Sequence, residues 1–248
     1  MTPGASPEIQ VFSSPAALAD AAADFFVASA AESCRGRGSF RVALAGGTTP
    51  AEMHRRLAES PRRERVDWSK TFVFFGDERC VPSGHADRND RAADETLLSR
   101  VSLPAGNIFR VDAEKPDAAA RYEAAIRQAF GVWGRAVPRF DLIVLGLGPD
   151  GHTASLFPGH RALEETEHLI VKIDGSPKPP PERVTFTLPL IDAARAVLFL
   201  AAGAEKAAVV ARAVGGDVGL PSGRVRPGGD GRLVWLLDEN AASKANKS

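Results

Sequence analysis

The stretch GLGPDGHTASLFPG, residues 146–159, sets a histidine and an aspartate two residues apart on a glycine-rich segment, directly after the apolar run 141–145. Imidazole titrates close to neutrality, so it suits proton transfer, and a nearby carboxylate can orient the ring or fix its tautomer. His152 beside Asp150 therefore reads as a general base for activating water. The same glycines satisfy a G-x-G-x-x-G spacing at Gly146, Gly148 and Gly151. A dinucleotide site needs that fingerprint to open a helix, with an acid about 20 residues further on. Here Pro149 interrupts the glycines, Asp150 brings negative charge to where a pyrophosphate would lie, and Phe157-Pro158-Gly159 stops a helix early. The nearest acid, Asp174, is imperfectly placed. The pattern fits a backbone that approaches a smaller ligand, and a nucleotide-dependent oxidoreductase is disfavoured.

Two further loops carry polar chemistry. GGTTP at 46–50 follows an apolar run at 40–45 and leads into a helical pattern. Gly46, Gly47 and Thr48 would offer backbone N–H groups at the positive end of that helix, an arrangement suited to phosphate. By itself this loop reads equally well as an ordinary strand-to-helix turn. GDERCVP at 76–82 follows the apolar run 71–75. Asp77, Glu78 and Arg79 alone read as a solvated turn with a local ion pair, and Cys80 as a packed small residue. Ser155 is expected to bond locally in its turn, and no G-x-S-x-G elbow supports a serine nucleophile. His54, His85, His160 and His168 show no metal-ligand spacing and read as surface or packing residues, so no metal is expected.

These loops need a frame. Strands are predicted at 8–12, 40–45, 71–75, 141–145, 169–173, 183–187, 196–200 and 232–237. Helices are predicted from 15 to about 33, from the 46–50 loop to about 59, and at 88–100, 117–131 and 204–214. Apolar strands alternating with helices argue for an α/β fold: a Rossmann-like, doubly wound, mostly parallel sheet with helices on both faces. The proline-rich 174–182 and the glycine-rich 215–231 read as loops inside one domain covering 1–248. In such a sheet ligands collect at the carboxyl ends of the strands, where all three loops lie.

Composition bounds the partners. Lys plus Arg total 31 and Asp plus Glu total 31, so the formal net charge is zero. There is no global positive field for nucleic acid or an anionic membrane, and an anionic ligand needs a local cluster. The two cysteines, Cys34 and Cys80, form no C-x-x-C pair, and the opening residues lack a signal-peptide pattern. A cytoplasmic protein without disulfides is expected.

AGGTTP, GDERCVP, GLGPDGHTASLFPG, RVTFTLPLIDAARAVLFLAAGAEKA and the closing WLLDENAA resemble, in order and spacing, the 6-phosphogluconolactonases. The resemblance covers nearly the whole chain, and DGHTASLFPG is its most specific part. It implies a fold shared with the glucosamine-6-phosphate deaminases and hydrolysis of 6-phospho-D-glucono-1,5-lactone with no required cofactor, by a protein expected to be a monomer. The deaminases resemble the chain at the same loops, but they carry a glutamate five residues after the histidine, where this chain has Phe157. The resemblance also implies basic substrate-binding positions at Arg79, Arg183 and Lys206. Asp77 matches the deaminases' proton-abstracting acid; a lactonase has no carbon acid to deprotonate, so Asp77 is expected at most to bind a substrate hydroxyl. A phosphosugar-binding regulator without turnover is the remaining alternative, and retention of His152 with the basic trio speaks against it.

Overall fold

The computed structural model describes residues 6–245. In chain order its elements are β1 (Glu8–Phe12), α1 (Pro15–Arg37), β2 (Phe40–Leu44), α2 (Thr48–Leu57), α3 (Arg62–Arg65), β3 (Thr71–Phe75), β4 (Asp77–Arg79), α4 (Asn89–Thr96) and α5 (Ala118–Phe130). Then follow β5 (Leu142–Gly146), β6 (Ile170–Ile173), β7 (Arg183–Phe186), α6 (Leu188–Asp192), β8 (Ala196–Ala201), α7 (Ala207–Val214), α8 (Pro221–Arg224), β9 (Arg232–Asp238) and α9 (Glu239–Ala242).

Six strands form one sheet in the order β1-β9-β8-β5-β2-β3, and every pair in it is parallel. Side chains alternate across a strand, so a sheet covered on both faces needs apolar residues at successive positions. The strands supply them. Leu142 and Val144 pack with Val42, Leu44 and Phe26 in one core layer, while Ile143 and Leu145 pack with Phe74, Phe140 and Phe199 in the other. After β2 the chain steps outward to β3, and after β5 it steps the other way to β8. The β2–β5 junction is therefore the switch point, and a crevice opens beyond its carboxyl edge.

The expected single sheet needs one correction. The runs at 169–173 and 183–187 do not join it; β6 and β7 pair antiparallel with each other, and β7 pairs antiparallel with β4. Alternating apolar and polar positions are compatible with either partner set, and only tertiary contacts choose between them. The small sheet is tied to the large one through Gly76, whose N–H donates to Leu44 O (3.0 Å) and whose carbonyl accepts from Phe186 N–H (2.9 Å). It lies over the carboxyl edge and carries Asp77 and Arg183 to the crevice. Helix bounds shift too. α1 runs four residues past 33 until Gly38 caps it at φ 78°, and the predicted 88–100 helix is α4 followed by a separate 3-10 turn, Leu98–Arg100. α6 and α8 fall in segments without a predicted helix. No helix among the described residues is long and apolar enough to cross a membrane.

Candidate active site

One pocket at the switch point is lined by Gly46, Gly47, Thr48, Asp77, Arg79, Asn89, Gly148, His152, Ala154, Arg183 and Lys206 among others. Sequence reasoning singled out eight of these. Asp150 stands outside the lining, directly behind His152.

His152 is presented by a loop that folds back on itself just after β5. Gly148 N–H donates to His152 O (2.9 Å), Gly151 N–H donates to Gly148 O (3.0 Å), and Thr153 Oγ1 donates to Gly146 O (2.9 Å). The glycine at 148 is required, because a Cβ there would collide with the His152 ring. Ala154 takes φ 48°, a left-handed conformation that costs a non-glycine residue energy and persists only where surroundings enforce it. His152 Nδ1 lies 2.5 Å from Asp150 Oδ1. A carboxylate only accepts, so this contact assigns the proton to Nδ1 and leaves the Nε2 lone pair available. Phe157 covers the ring, centroid to centroid 4.8 Å. Burial pushes the His152 pKa below its ordinary 6.5, outweighing the hydrogen bond and charge of Asp150, which favour the imidazolium. Burial acts upward on Asp150 as well, but the His152 contact and the Lys178 charge hold its pKa below the usual value.

The D-E-R segment is not the expected solvated turn. It forms β4, and Glu78 is fully buried. The Glu78 carboxylate accepts N–H groups from Arg79 (2.8 Å), Asn89 (2.8 Å) and Asp90 (2.9 Å), thereby capping the start of α4. Burial pushes its pKa up to about 7. The cap fixes Asn89, whose Nδ2 donates to Asp77 O (2.8 Å) and Asp77 Oδ1 (3.0 Å). Asn89 fills the space over Gly46, where a Cβ would collide with its Oδ1. Ser155 is also corrected: instead of bonding within its turn, its hydroxyl donates to Asp77 Oδ2 at 2.6 Å, across 78 residues of sequence. Asp77 thus has both oxygens engaged by uncharged donors.

The basic residues differ in how much of their charge is committed. Arg183, 5% exposed, gives Nε to Pro180 O (3.2 Å) and Nη2 to Lys178 O (3.2 Å) and Pro179 O (3.1 Å), with Nη1 3.4 Å from Ser155 Oγ. Arg79 gives Nη1 to Asp87 O (2.6 Å). Lys206 ends a 3-10 turn at the start of α7 and, among the described residues, has no side-chain hydrogen bond or ion pair. Burial lowers its pKa. Of the other histidines, His54 is buried against Thr96, with its pKa pushed down to about 4 by burial, and His85, His160 and His168 lie outside the pocket lining.

Sequence reasoning missed Asn89, Glu78 and Lys178. Asn89 and Glu78 act through pairing of β4 with β7, which no local pattern announces. Lys178 stands in a proline-rich loop that reads as mere connection.

A doubly wound parallel sheet with its pocket at the switch point, walled by several cations and by a histidine backed by a carboxylate, is an arrangement in which α/β proteins hold small anionic ligands. A family described as glucosamine-6-phosphate isomerases/6-phosphogluconolactonase matches residues 13–235. The 6-phosphogluconolactonase of Rattus norvegicus is 42% identical, over 94% of this chain and 92% of its own. That of Streptomyces coelicolor is 39% identical, over 98% and 96%. In structure, the 6-phosphogluconolactonase from Trypanosoma cruzi superposes with a TM-score of 0.85 at 32% identity, covering 98% of this chain and 99% of that one. The chain belongs to the glucosamine-6-phosphate isomerase/6-phosphogluconolactonase family, within its 6-phosphogluconolactonase branch.

Proposed function

We propose that the protein hydrolyses 6-phospho-D-glucono-1,5-lactone to 6-phospho-D-gluconate, the second step of the oxidative pentose phosphate pathway, by His152-assisted attack of water. The observation that carries this reading is the His152 imidazole, its Nδ1 2.5 Å from Asp150 Oδ1, on the wall of a pocket that also holds the uncommitted Lys206. Water bonds to the lactone carbonyl carbon as its proton passes to His152 Nε2. The carbonyl electrons collect on oxygen, then return as the ring C–O bond breaks, and the imidazolium returns the proton to the departing ring oxygen. Asp150 holds the tautomer and steadies the transient imidazolium. The phosphate is read by Gly46, Gly47 and Thr48 at the start of α2 together with Lys206 and Arg79. Arg183 adds charge to the same wall, although most of its donors are engaged. Asp77, held by one donor on each oxygen from Asn89 and Ser155, keeps acceptor capacity with which it orients a substrate hydroxyl. Phe157 packs on the base where the deaminases carry a carboxylate, so the deaminases' opening of an amino-sugar ring lacks its assisting group here.

The protein is read as a cytoplasmic monomer that needs no cofactor and engages neither nucleic acid nor membrane; two unpaired cysteines suit a reducing compartment. The test is lactone hydrolysis with the spontaneous rate subtracted, run beside incubation with glucosamine 6-phosphate. Rapid lactone opening and no ammonia are expected. Binding of the lactone without turnover would replace the reading by that of a phosphosugar-binding regulator.

A further inference from the structure

The loop at 174–182 is built rather than slack. Ser176 N–H donates to Pro181 O (2.9 Å), Ser176 Oγ donates to Lys178 O (2.8 Å), and Lys178 N–H reaches Ser176 Oγ (3.2 Å). The buried Arg183 then grips three consecutive loop carbonyls, those of Lys178, Pro179 and Pro180. A planar guanidinium fork can hold several acceptors in fixed geometry, so the loop is clamped to β7. What the clamp positions is the Lys178 side chain. Its Nζ lies 3.6 Å from Asp150 Oδ1 and 3.5 Å from His152 Nδ1. With the Nδ1 proton already given to Asp150, the ammonium has no acceptor on the ring. Its attraction is to the Asp150 carboxylate, and its effect on an imidazolium is repulsion.

We propose that Lys178 is a positioning residue of this active site: clamped in place by Arg183, its ammonium shares the Asp150 carboxylate with His152 and helps keep the imidazole in its neutral, proton-accepting form. The proposal rests on the reading of His152 as the base. The charged groups facing the imidazole divide by sign. Asp150 from its own loop and Asp77 from β4 favour the imidazolium, and Lys178 from the 174–182 loop opposes it. Lys206, Arg79 and Arg183 line the same pocket. Without Lys178, burial would face the 2.5 Å contact with Asp150 with one opposing charge fewer, the imidazolium would gain, and a base already protonated accepts nothing. Arg183 thereby acts chiefly through the loop, and its contribution to phosphate binding is secondary.

The experiment is an NMR titration of the His152 imidazole alongside rate–pH profiles, in the parent, Lys178→Gln, Lys178→Arg and Arg183→Lys. Removing a like charge at this distance should move the imidazole midpoint and the acid limb of turnover to higher pH by on the order of one unit. Lys178→Arg should restore both. Arg183→Lys keeps the charge but loses the fork, so it should move both in the same direction. Combined with Lys178→Gln it should move them no further, the mark of two residues acting through one contact. An unmoved midpoint in Lys178→Gln would overturn the proposal, as would a raised KM for the lactone with an unmoved acid limb, which would make Lys178 a substrate ligand. The base reading fails separately: a His152→Ala enzyme that kept its turnover would remove His152 from the chemistry, while the imidazole titration of the other variants would still report on Lys178.

Discussion

Asp77 and Asp150 both follow core strands of the parallel sheet and both belong to one site, yet their surroundings give them different chemistry. Asp77 is 7% exposed and bonded through both oxygens to uncharged side chains, Ser155 at 2.6 Å and Asn89 at 3.0 Å. Asp150 is about one-third exposed, and its partners are an imidazole at 2.5 Å and an ammonium at 3.6 Å. A carboxylate fixed by one neutral donor on each oxygen works as scaffold and, through its remaining lone pairs, as a positioned acceptor. One paired with a titratable ring works by setting where that ring's proton resides. Residue type is equal in the two cases, so the difference lies in the partners the fold delivers.

The strongest way to break this contrast is to delete the base itself. His152→Ala should lower the turnover number by roughly 10²–10⁴, the range for a positioned general base, with KM little changed. The lower half of the range is expected because the lactone already reacts slowly with water. If Asp77→Asn instead gave the larger loss of turnover, the roles assigned to the two halves of the site would have to be exchanged.

A second comparison sets a committed cation against a free one. Lys206 has no protein partner among the described residues, whereas Arg183 has four. Lys206→Ala should weaken binding of the phosphorylated lactone by about 1.5–3 kcal/mol, the size of a hydrogen bond to a charged group. Non-phosphorylated gluconolactone should be a poor substrate whose KM the substitution leaves alone. Equal losses on both lactones would show that Lys206 acts through folding.

The third test addresses Asp77 as scaffold. Asp77→Asn removes the charge that both donors bind, and with Oδ1 kept toward Asn89 its amide NH2 faces Ser155, whose hydroxyl must give up its donated hydrogen bond. That should cost about 1–3 kcal/mol of stability, read from chemical denaturation. Asp150→Asn, at a partly exposed position, should cost distinctly less. Similar losses at the two positions would erase the distinction.

Why one carboxylate was legible and the other was not follows from the distances involved. Asp150 and His152 are two residues apart on a loop after a buried apolar run, and local spacing conveys their pairing. Asp77 meets Ser155 across 78 residues and Asn89 across 12. Its setting depends on β4 pairing with β7, and three polar residues in a row carry no periodicity from which to read that. The six strands of the parallel sheet are legible because double-sided burial forces continuous apolar runs. The strands β6 and β7 are legible as strands, but not as members of a second sheet, because pairing direction leaves no mark on composition. The positions matching Arg79, Arg183 and Lys206 do converge on one pocket. That the Arg183 fork is spent on loop carbonyls is a matter of side-chain direction, which a sequence does not carry.

The smallest effect is the most discriminating, because it measures the two carboxylates on one scale. Burial holds the His152 pKa below 6.5, against the pull of Asp150 toward the imidazolium. The base acts when neutral, so the parent's turnover should fall on the acid side with a midpoint below 6.5. Asp150→Asn removes the nearest negative charge while an amide oxygen can still accept the Nδ1 proton. With that pull gone, burial and Lys178 act with less opposition, the imidazolium is less favoured, and the acid limb should move to lower pH. Asp77 also favours the imidazolium, as the weakest of the named influences on the ring. Asp77→Asn should therefore move the limb in the same direction by a smaller amount. Rates against pH at saturating lactone, corrected for spontaneous opening, give both displacements. A limb that moved to higher pH in Asp150→Asn would show that Asp150 does not act on the ring by its charge. A larger displacement from Asp77→Asn would make Asp77, not Asp150, the carboxylate that governs the base.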